Sequence, residues 1–277
     1  MPRAEVANVV RFDAPLGARV SGIDPTVVPS GATAGELRRL LDDDILLLFR
    51  GHRSPSHQEL IDFAAGIGPL RPSLADESWV PGHPGINLVS NVQQDGRLIG
   101  TGGAGVIDWH SDLRFEPPAT RYIVLDAVEI PGGGAGTTRF GNLYRAYQAL
   151  SHDMQTRVDG VKVSYMLPRH GYVNTSEQAL SQVQAVTHDL VQVNPRTGRR
   201  SLWPNVGIFT GEVVAGDGDA ALLQELYEHC IRREFTYTHE WQAGDLLIWD
   251  NVATMHRREP FDASQRRVMR HVNIVGA

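Results

Sequence analysis

The 277-residue chain is predicted to be mainly β with added helices, a double-stranded β-helix of the jelly-roll, cupin-like kind. Several short strands carry turn signals between them, and helical patterns are concentrated in the first third and in insertions. Strand and helix do not alternate regularly, which argues against a doubly wound parallel sheet and for a jelly roll with helices packed around it. The length fits one large domain spanning 1–277.

Taken in order, Thr33 and Glu36 form a capping-box pattern followed by Leu37, Leu40 and Leu41, predicting a helix over about 34–43. Ile45 to Phe49 is a short continuous apolar run stopped by Arg50-Gly51, as in a buried strand. Ser56 and Glu59 repeat the capping-box signature and open a second helix ending at Gly66 or Gly68. Residues 71–108 are rich in Pro, Gly, Ser and Asn, with one strand expected around Ile86 to Val92 and a turn at Asp95-Gly96. That stretch, and the irregular 160–215 interrupted by Pro168, Pro195 and Pro204, are candidate lid segments.

Tyr122 to Leu125 reads as a strand. The glycine run Pro131 to Thr137 lacks the Gly-Lys-Ser/Thr ending of a phosphate loop and reads as a turn that delivers Thr137. Asn142 caps a helix over Leu143 to Leu150, and another follows from Asp153 to Val158. Ala221, Leu222, Leu226, Tyr227 and Cys230 restore helical periodicity. Phe235 to Trp241, Leu246 to Trp249 and Val268 to Val275 are the last expected strands.

A formal net charge of -6 without a Lys/Arg block argues against nucleic acid as a partner and for a small-molecule substrate. Cys230 is the only cysteine, so an internal disulfide is excluded; its apolar helical setting suits packing rather than nucleophilic chemistry. No apolar run reaches the roughly 18–20 residues of a membrane span, and Met1 to Asn8 lacks a signal-peptide core, so no membrane association and a cytoplasmic location are expected.

The chemistry centres on Trp109-His110-Ser111-Asp112, taken with Trp249-Asp250-Asn251 and the distant His256. Two imidazoles and one carboxylate suit a non-haem Fe(II) site with open coordination positions. On an extended strand, side chains two apart share a face, so His110 and Asp112 can reach one ion while Ser111 points away. Arg267 stands eleven positions after His256 on a segment expected to return through the core. A guanidinium there is costly to bury alone and its planar fork suits a carboxylate.

With these residues in view, the chain resembles the taurine dioxygenase and 2,4-dichlorophenoxyacetate dioxygenase (TauD/TfdA) family of Fe(II)- and 2-oxoglutarate-dependent oxygenases. The resemblance runs from Leu16-Gly17-Ala18 through Phe49-Arg50-Gly51, Phe63 and Gly68-Pro69-Leu70 to the Trp-His-Ser-Asp motif, Thr137, Trp249-Asp250-Asn251, His256 and Arg267. It implies that His110, Asp112 and His256 bind Fe(II), that Thr137 and Arg267 hold the distal carboxylate of 2-oxoglutarate, and that O2 is the second co-substrate. The family's Gly-Gly-Asp-Thr is written here Gly134-Ala135-Gly136-Thr137, with Thr138 an adjacent rival hydroxyl. The resemblance also implies a homo-oligomer, dimer or tetramer.

The substrate residues depart from the taurine-type pattern, which has Arg where His271 stands and Asn where Val106 stands. These departures argue against taurine, while the Trp-His-Ser-Asp and Arg266-Arg267 pattern resembles that of the phenoxyacetate enzymes, which implies a small carboxylate-bearing substrate of the aryloxyalkanoate kind. A sulfonate, a sulfate ester, a secondary-metabolite intermediate, or a non-catalytic binding role are the alternatives. Steps of two from Arg267 put Met269 and His271 on one face and Arg270 on the other, while Arg266 is off the inward register. His271, Arg71 and Val106 are the expected substrate-binding positions, with the loop-borne His170 a further candidate.

Overall fold

The central strands are apolar on both faces, and each face needs its own cover. Leu47, Phe49, Tyr122, Val124, Leu246 and Ile248 pack to one side. Their neighbours Leu46, Leu48, Ile123, Leu125, Leu247 and Trp249 pack to the other. The computed structural model, which describes residues 7–115, 119–166, 174–204 and 210–276, covers the first side with the helices Gly31–Asp44 and His57–Ile67 and the second with another sheet.

The larger, ten-stranded sheet follows a main path Asn8–Arg11, Ala18–Ser21, Leu46–Phe49, Leu246–Asp250, Thr120–Glu129, Val268–Val275, His83–Ser90, Trp79–Val80. The smaller has four strands in the order Ile107–His110, Thr254–Arg258, Thr138–Asn142, Thr236–His239. Phe140 of the smaller sheet meets Trp249 of the larger edge-on at 5.3 Å, so the two sheets share a core. The arrangement is the jelly roll expected from the sequence, with almost all neighbouring strands antiparallel. Behind the smaller sheet, Trp109 and Met255 pack against Leu143, Tyr165, Trp203 and the helix Ala220–Cys230.

Several elements differ from expectation for identifiable reasons. The first helix begins earlier, because Ser30 accepts from the Thr33 amide and is the N-cap. The Ser56 and Glu59 capping box forms as expected. Asp95 and Gly96 both have positive φ, 51° and 78°, and close a two-residue turn between Gln93–Gln94 and Arg97–Leu98. The span 160–215 is not loop-like: Lys162–Met166 pairs with Val186–Asp189 and Thr210–Ala215, and Val191–Val193 pairs with Arg200–Leu202. Pro195 and Pro204 lie outside those strands, Pro168 lies outside the described residues, and Val163, Tyr165 and Leu202 are core residues. Among the described residues no helix is long and apolar enough to cross a membrane.

Candidate active site

His110 and His256 stand directly opposite each other on the adjacent antiparallel strands Ile107–His110 and Thr254–Arg258. Opposed positions bring side chains together, and the two ring centroids lie 4.1 Å apart. The third member does not come from strand alternation as expected, because the first strand ends at His110. Asp112 curls back in a turn whose next residue, Leu113, has a φ of 51°. One ligand atom from each of His110, Asp112 and His256 lies within 4.8 Å of the others. His110 Nε2 is 3.4 Å from Asp112 Oδ1, and His256 Nε2 is 3.8 Å from Asp112 Oδ2.

The turn is held by Asn251. Its Oδ1 accepts from the Asp112 amide at 2.9 Å, and its Nδ2 donates to the Asp112 and Thr120 carbonyls at 2.9 and 3.1 Å. Ser111 faces away from the site and donates to the Thr254 carbonyl, tying the turn to the strand that bears His256. Arg114, fully buried and stacked 4.4 Å from the Trp203 ring, donates to Ser111 in turn. Burial pulls the Arg114 pKa down to about 10.

The electrostatics suit a metal. His110 Nδ1 donates to the Asp108 carbonyl at 2.6 Å, which leaves the Nε2 lone pair facing Asp112. Burial, with His110 alongside, pushes His256 down to about 3, so its imidazole is neutral near pH 7. Burial works against the Asp112 charge, yet His256, His110 and His271 hold its carboxyl well below the usual range. Two imidazole nitrogens and a carboxylate oxygen at this spacing fit a divalent ion such as Fe(II).

The triad opens on a cavity of about 450 Å³. Ala75, Val89, Leu98, Ile107, Leu113 and Leu125 form apolar walls, and Arg258, Arg267, Thr138, Asn87 and His271 contribute polar groups. Arg267 is 2% exposed, its Nε is buried without a partner, and burial together with the nearby Arg258 lowers its pKa to about 9. A buried cation with no ion-pair partner among the described residues fits a site for a ligand carboxylate.

The structure moves the hydroxyl expected at Thr137 by one residue. The strand starts at Thr138, so Thr138 and Phe140 face inward; Thr137 is not among the residues lining the cavity, and its carbonyl accepts from the Glu259 amide. Thr138 Oγ1 accepts from Trp241 Nε1 at 2.9 Å, leaving its own proton available to a ligand.

His271 lines the cavity, with Nε2 3.4 Å from Asp112 Oδ2. Two other expected substrate positions do not line it. Val106 is 48% exposed, because alternation turns its neighbour Ile107 inward. Arg71 pairs through its backbone with Asn273 and is absent from the lining. Arg270 turns to the opposite face, onto Asp126, and Arg266 pairs with Glu129 at the surface. His170 lies outside the described residues.

Sequence reasoning missed Asn251, Arg114, Asn87 and Arg258. The Trp249-Asp250-Asn251 motif was visible, but its contact with Asp112 is a backbone contact that no spacing rule reveals. Asn87 stands opposite His271 in strand register, a neighbour that only the sheet order identifies.

Two imidazoles and a carboxylate grouped as for a metal ion, beside a cavity lined by the buried Arg267 on a jelly roll, are the features of a mononuclear oxygenase, and the protein is of that class. The model of the family described as "Taurine catabolism dioxygenase TauD, TfdA family" matches residues 9–273, and the chain belongs to that family. It is 36% identical over 276 residues to pentalenolactone F synthase of Streptomyces arenae, covering 94% of this chain and 92% of that protein. It is 33% identical over 268 residues to the alpha-ketoglutarate-dependent 2,4-dichlorophenoxyacetate dioxygenase of Cupriavidus pinatubonensis, covering 92% and 93%. The crystal structure of a taurine dioxygenase from Burkholderia xenovorans superposes with a TM-score of 0.78 at 27% identity, over 98% of this chain and 90% of that one.

Proposed function

We propose that this protein is an Fe(II)- and 2-oxoglutarate-dependent dioxygenase that hydroxylates an unactivated C–H bond of a small carboxylate-bearing molecule, with release of succinate and CO2. The observation that carries this reading is the convergence of His110, Asp112 and His256 within 4.8 Å of one another beside a cavity that also contains the Arg267 guanidinium, whose buried Nε has no partner among the described residues. Bound there, Fe(II) with 2-oxoglutarate and O2 supplies the oxidising chemistry.

The protein's own residues set the stage for that chemistry. His110 and His256 offer Nε2, and Asp112 offers a carboxylate oxygen. Asn251 fixes the Asp112 backbone, while His271 Nε2 donates to Oδ2 and turns the carboxylate. Arg267 and Thr138 hold the distal carboxylate of 2-oxoglutarate. Apolar side chains around the cavity limit water near the reacting carbon and give the substrate body a complementary surface.

Charge balance supports an acidic substrate. With Fe(II), Asp112, the 2-oxoglutarate dianion, Arg258 and Arg267 in place, the formal charges leave one positive charge for a substrate anion to neutralise. The resemblance to the 2,4-dichlorophenoxyacetate dioxygenase supports an aryloxyalkanoate-like acid. A secondary-metabolite intermediate is the second reading, favoured by the 36% identity to pentalenolactone F synthase. A role in binding without turnover is disfavoured by the complete His-Asp-His set. A cytoplasmic homo-oligomer completes the reading.

The test is a panel of small acids, each paired with its methyl ester, assayed for substrate-stimulated succinate release. Acids should stimulate release and their esters should not. Equal stimulation by esters would remove the carboxylate from the substrate definition.

A further inference from the structure

We propose that Arg258 is a second guanidinium of the distal-carboxylate site, acting beside Arg267, and that the same side chain anchors the glycine loop 102–105 to it; this rests on reading the cavity as a 2-oxoglutarate site. Arg258 lies two residues beyond His256 on the strand Thr254–Arg258, and so on the same face. In register it stands between Ile107 and Thr138, one on each neighbouring strand. Ile107 and Thr138 line the cavity, and Arg258 and Arg267 line it with them.

The guanidinium is only partly satisfied by the protein. Arg258 is 4% exposed and makes no ion pair among the described residues. Nη1 donates to the Gly103 carbonyl at 2.8 Å, and Nη2 donates to the carbonyls of Gly102, at 2.8 Å, and Gly105. Its Nε is buried without a partner, as is Nε of Arg267. Neutral carbonyls orient the group without cancelling its charge, so two buried cations share one cavity with no protein carboxylate assigned to either. A single carboxylate has lone pairs enough for the fork of Arg267, the Thr138 hydroxyl and Arg258 Nε.

The loop contacts give Arg258 a second consequence. Gly102 has a φ of +93°, and a Cβ there would lie 3.0 Å from Ile107 and 3.2 Å from Arg258 Nη1, so the loop is shaped closely around the guanidinium. Phe261 lies 5.3 Å from it and donates its amide to the Ala104 carbonyl at 3.1 Å. Gly102 and Gly103 themselves form part of the cavity wall. An anion drawing on Arg258 therefore acts on the group that holds this wall in place.

The experiment uses the whole chain loaded with Mn(II) under anaerobic conditions and titrated calorimetrically with 2-oxoglutarate and with 2-oxobutyrate, which keeps the 2-oxo acid but lacks the distal carboxylate. Arg258→Met should weaken 2-oxoglutarate binding roughly tenfold or more, with 2-oxobutyrate changed less than about twofold. Arg258→Lys, which keeps the charge, should recover part of the loss and serves as the readout where the Met variant does not fold. Equal weakening of both ligands would make Arg258 a loop anchor only and overturn the proposal, as would no change in either. If the unaltered Mn(II) protein binds neither ligand, the 2-oxoglutarate reading itself fails.

Discussion

Replacing Asn251 with Ala should uncouple the Asp112 turn from the rest of the site. Asn251 is fully buried and makes three hydrogen bonds to main-chain groups, two of them to Asp112 itself at 2.9 Å. Removing it strands the Asp112 amide and carbonyl and the Thr120 carbonyl. An unmet buried group costs about 1–3 kcal/mol, so a loss of roughly 3–5 kcal/mol is expected once some water enters the gap. Leu113, at a φ of 51°, adds strain that the clamp now restrains and the variant would release. Metal affinity should fall about 10- to 100-fold, as for other residues that orient a ligand. Urea unfolding gives the first quantity, and Co(II) titration followed by visible absorption gives the second. Co(II) affinity within twofold of the unaltered protein would show that Asn251 supports the fold without orienting Asp112.

Two further predictions concern particular side chains. Thr138→Ala should weaken 2-oxoglutarate binding about fivefold, the worth of one hydrogen bond, whereas Thr137→Ala should leave it unchanged in the same calorimetric titration; the reverse result would restore Thr137. Asp245 accepts from both Arg50 Nε and Nη2 at 2.6 Å, from His239 and from the Gln242 amide, and these overcome its burial to bring its pKa to about 2 from an ordinary 3.8. Because the folded value is depressed, its contribution of about 2 kcal/mol is present above about pH 4 and is lost as pH falls through about 2. The stability gap between the unaltered protein and Asp245→Asn should therefore narrow over that window, and a gap independent of pH would refute the assignment.

Side chains that act through their own chemistry were legible in the sequence, and those that act through register or backbone were not. The Ser56 capping box, the Asp95-Gly96 turn and the strand Val268–Val275 follow from local rules and are present in the structure. His110, Asp112, His256 and Arg267 could be singled out by residue type and order. Thr138 rather than Thr137 lines the cavity because a glycine turn carries no alternation from which to count, and the inward phase is set only where the strand begins at Thr138. Val106 failed for a related reason, since Ile107 takes the inward position beside it. In the span 160–215 short strands with prolines between them carry no clear period in sequence, yet the described ones pack on Trp109 and Met255 and are ordered by that contact. Arg258 could not be singled out in sequence because its lack of an ion pair among the described residues is a property of three-dimensional surroundings.

The central claim is tested most directly by measuring succinate formed from 2-oxoglutarate in air, with and without Fe(II), for the unaltered chain and for His256→Ala. The account predicts iron-dependent succinate from the former, stimulated by an acidic substrate, and loss of that iron-dependent signal in the variant. Full activity in His256→Ala, or no iron-dependent succinate from the unaltered chain, would contradict it.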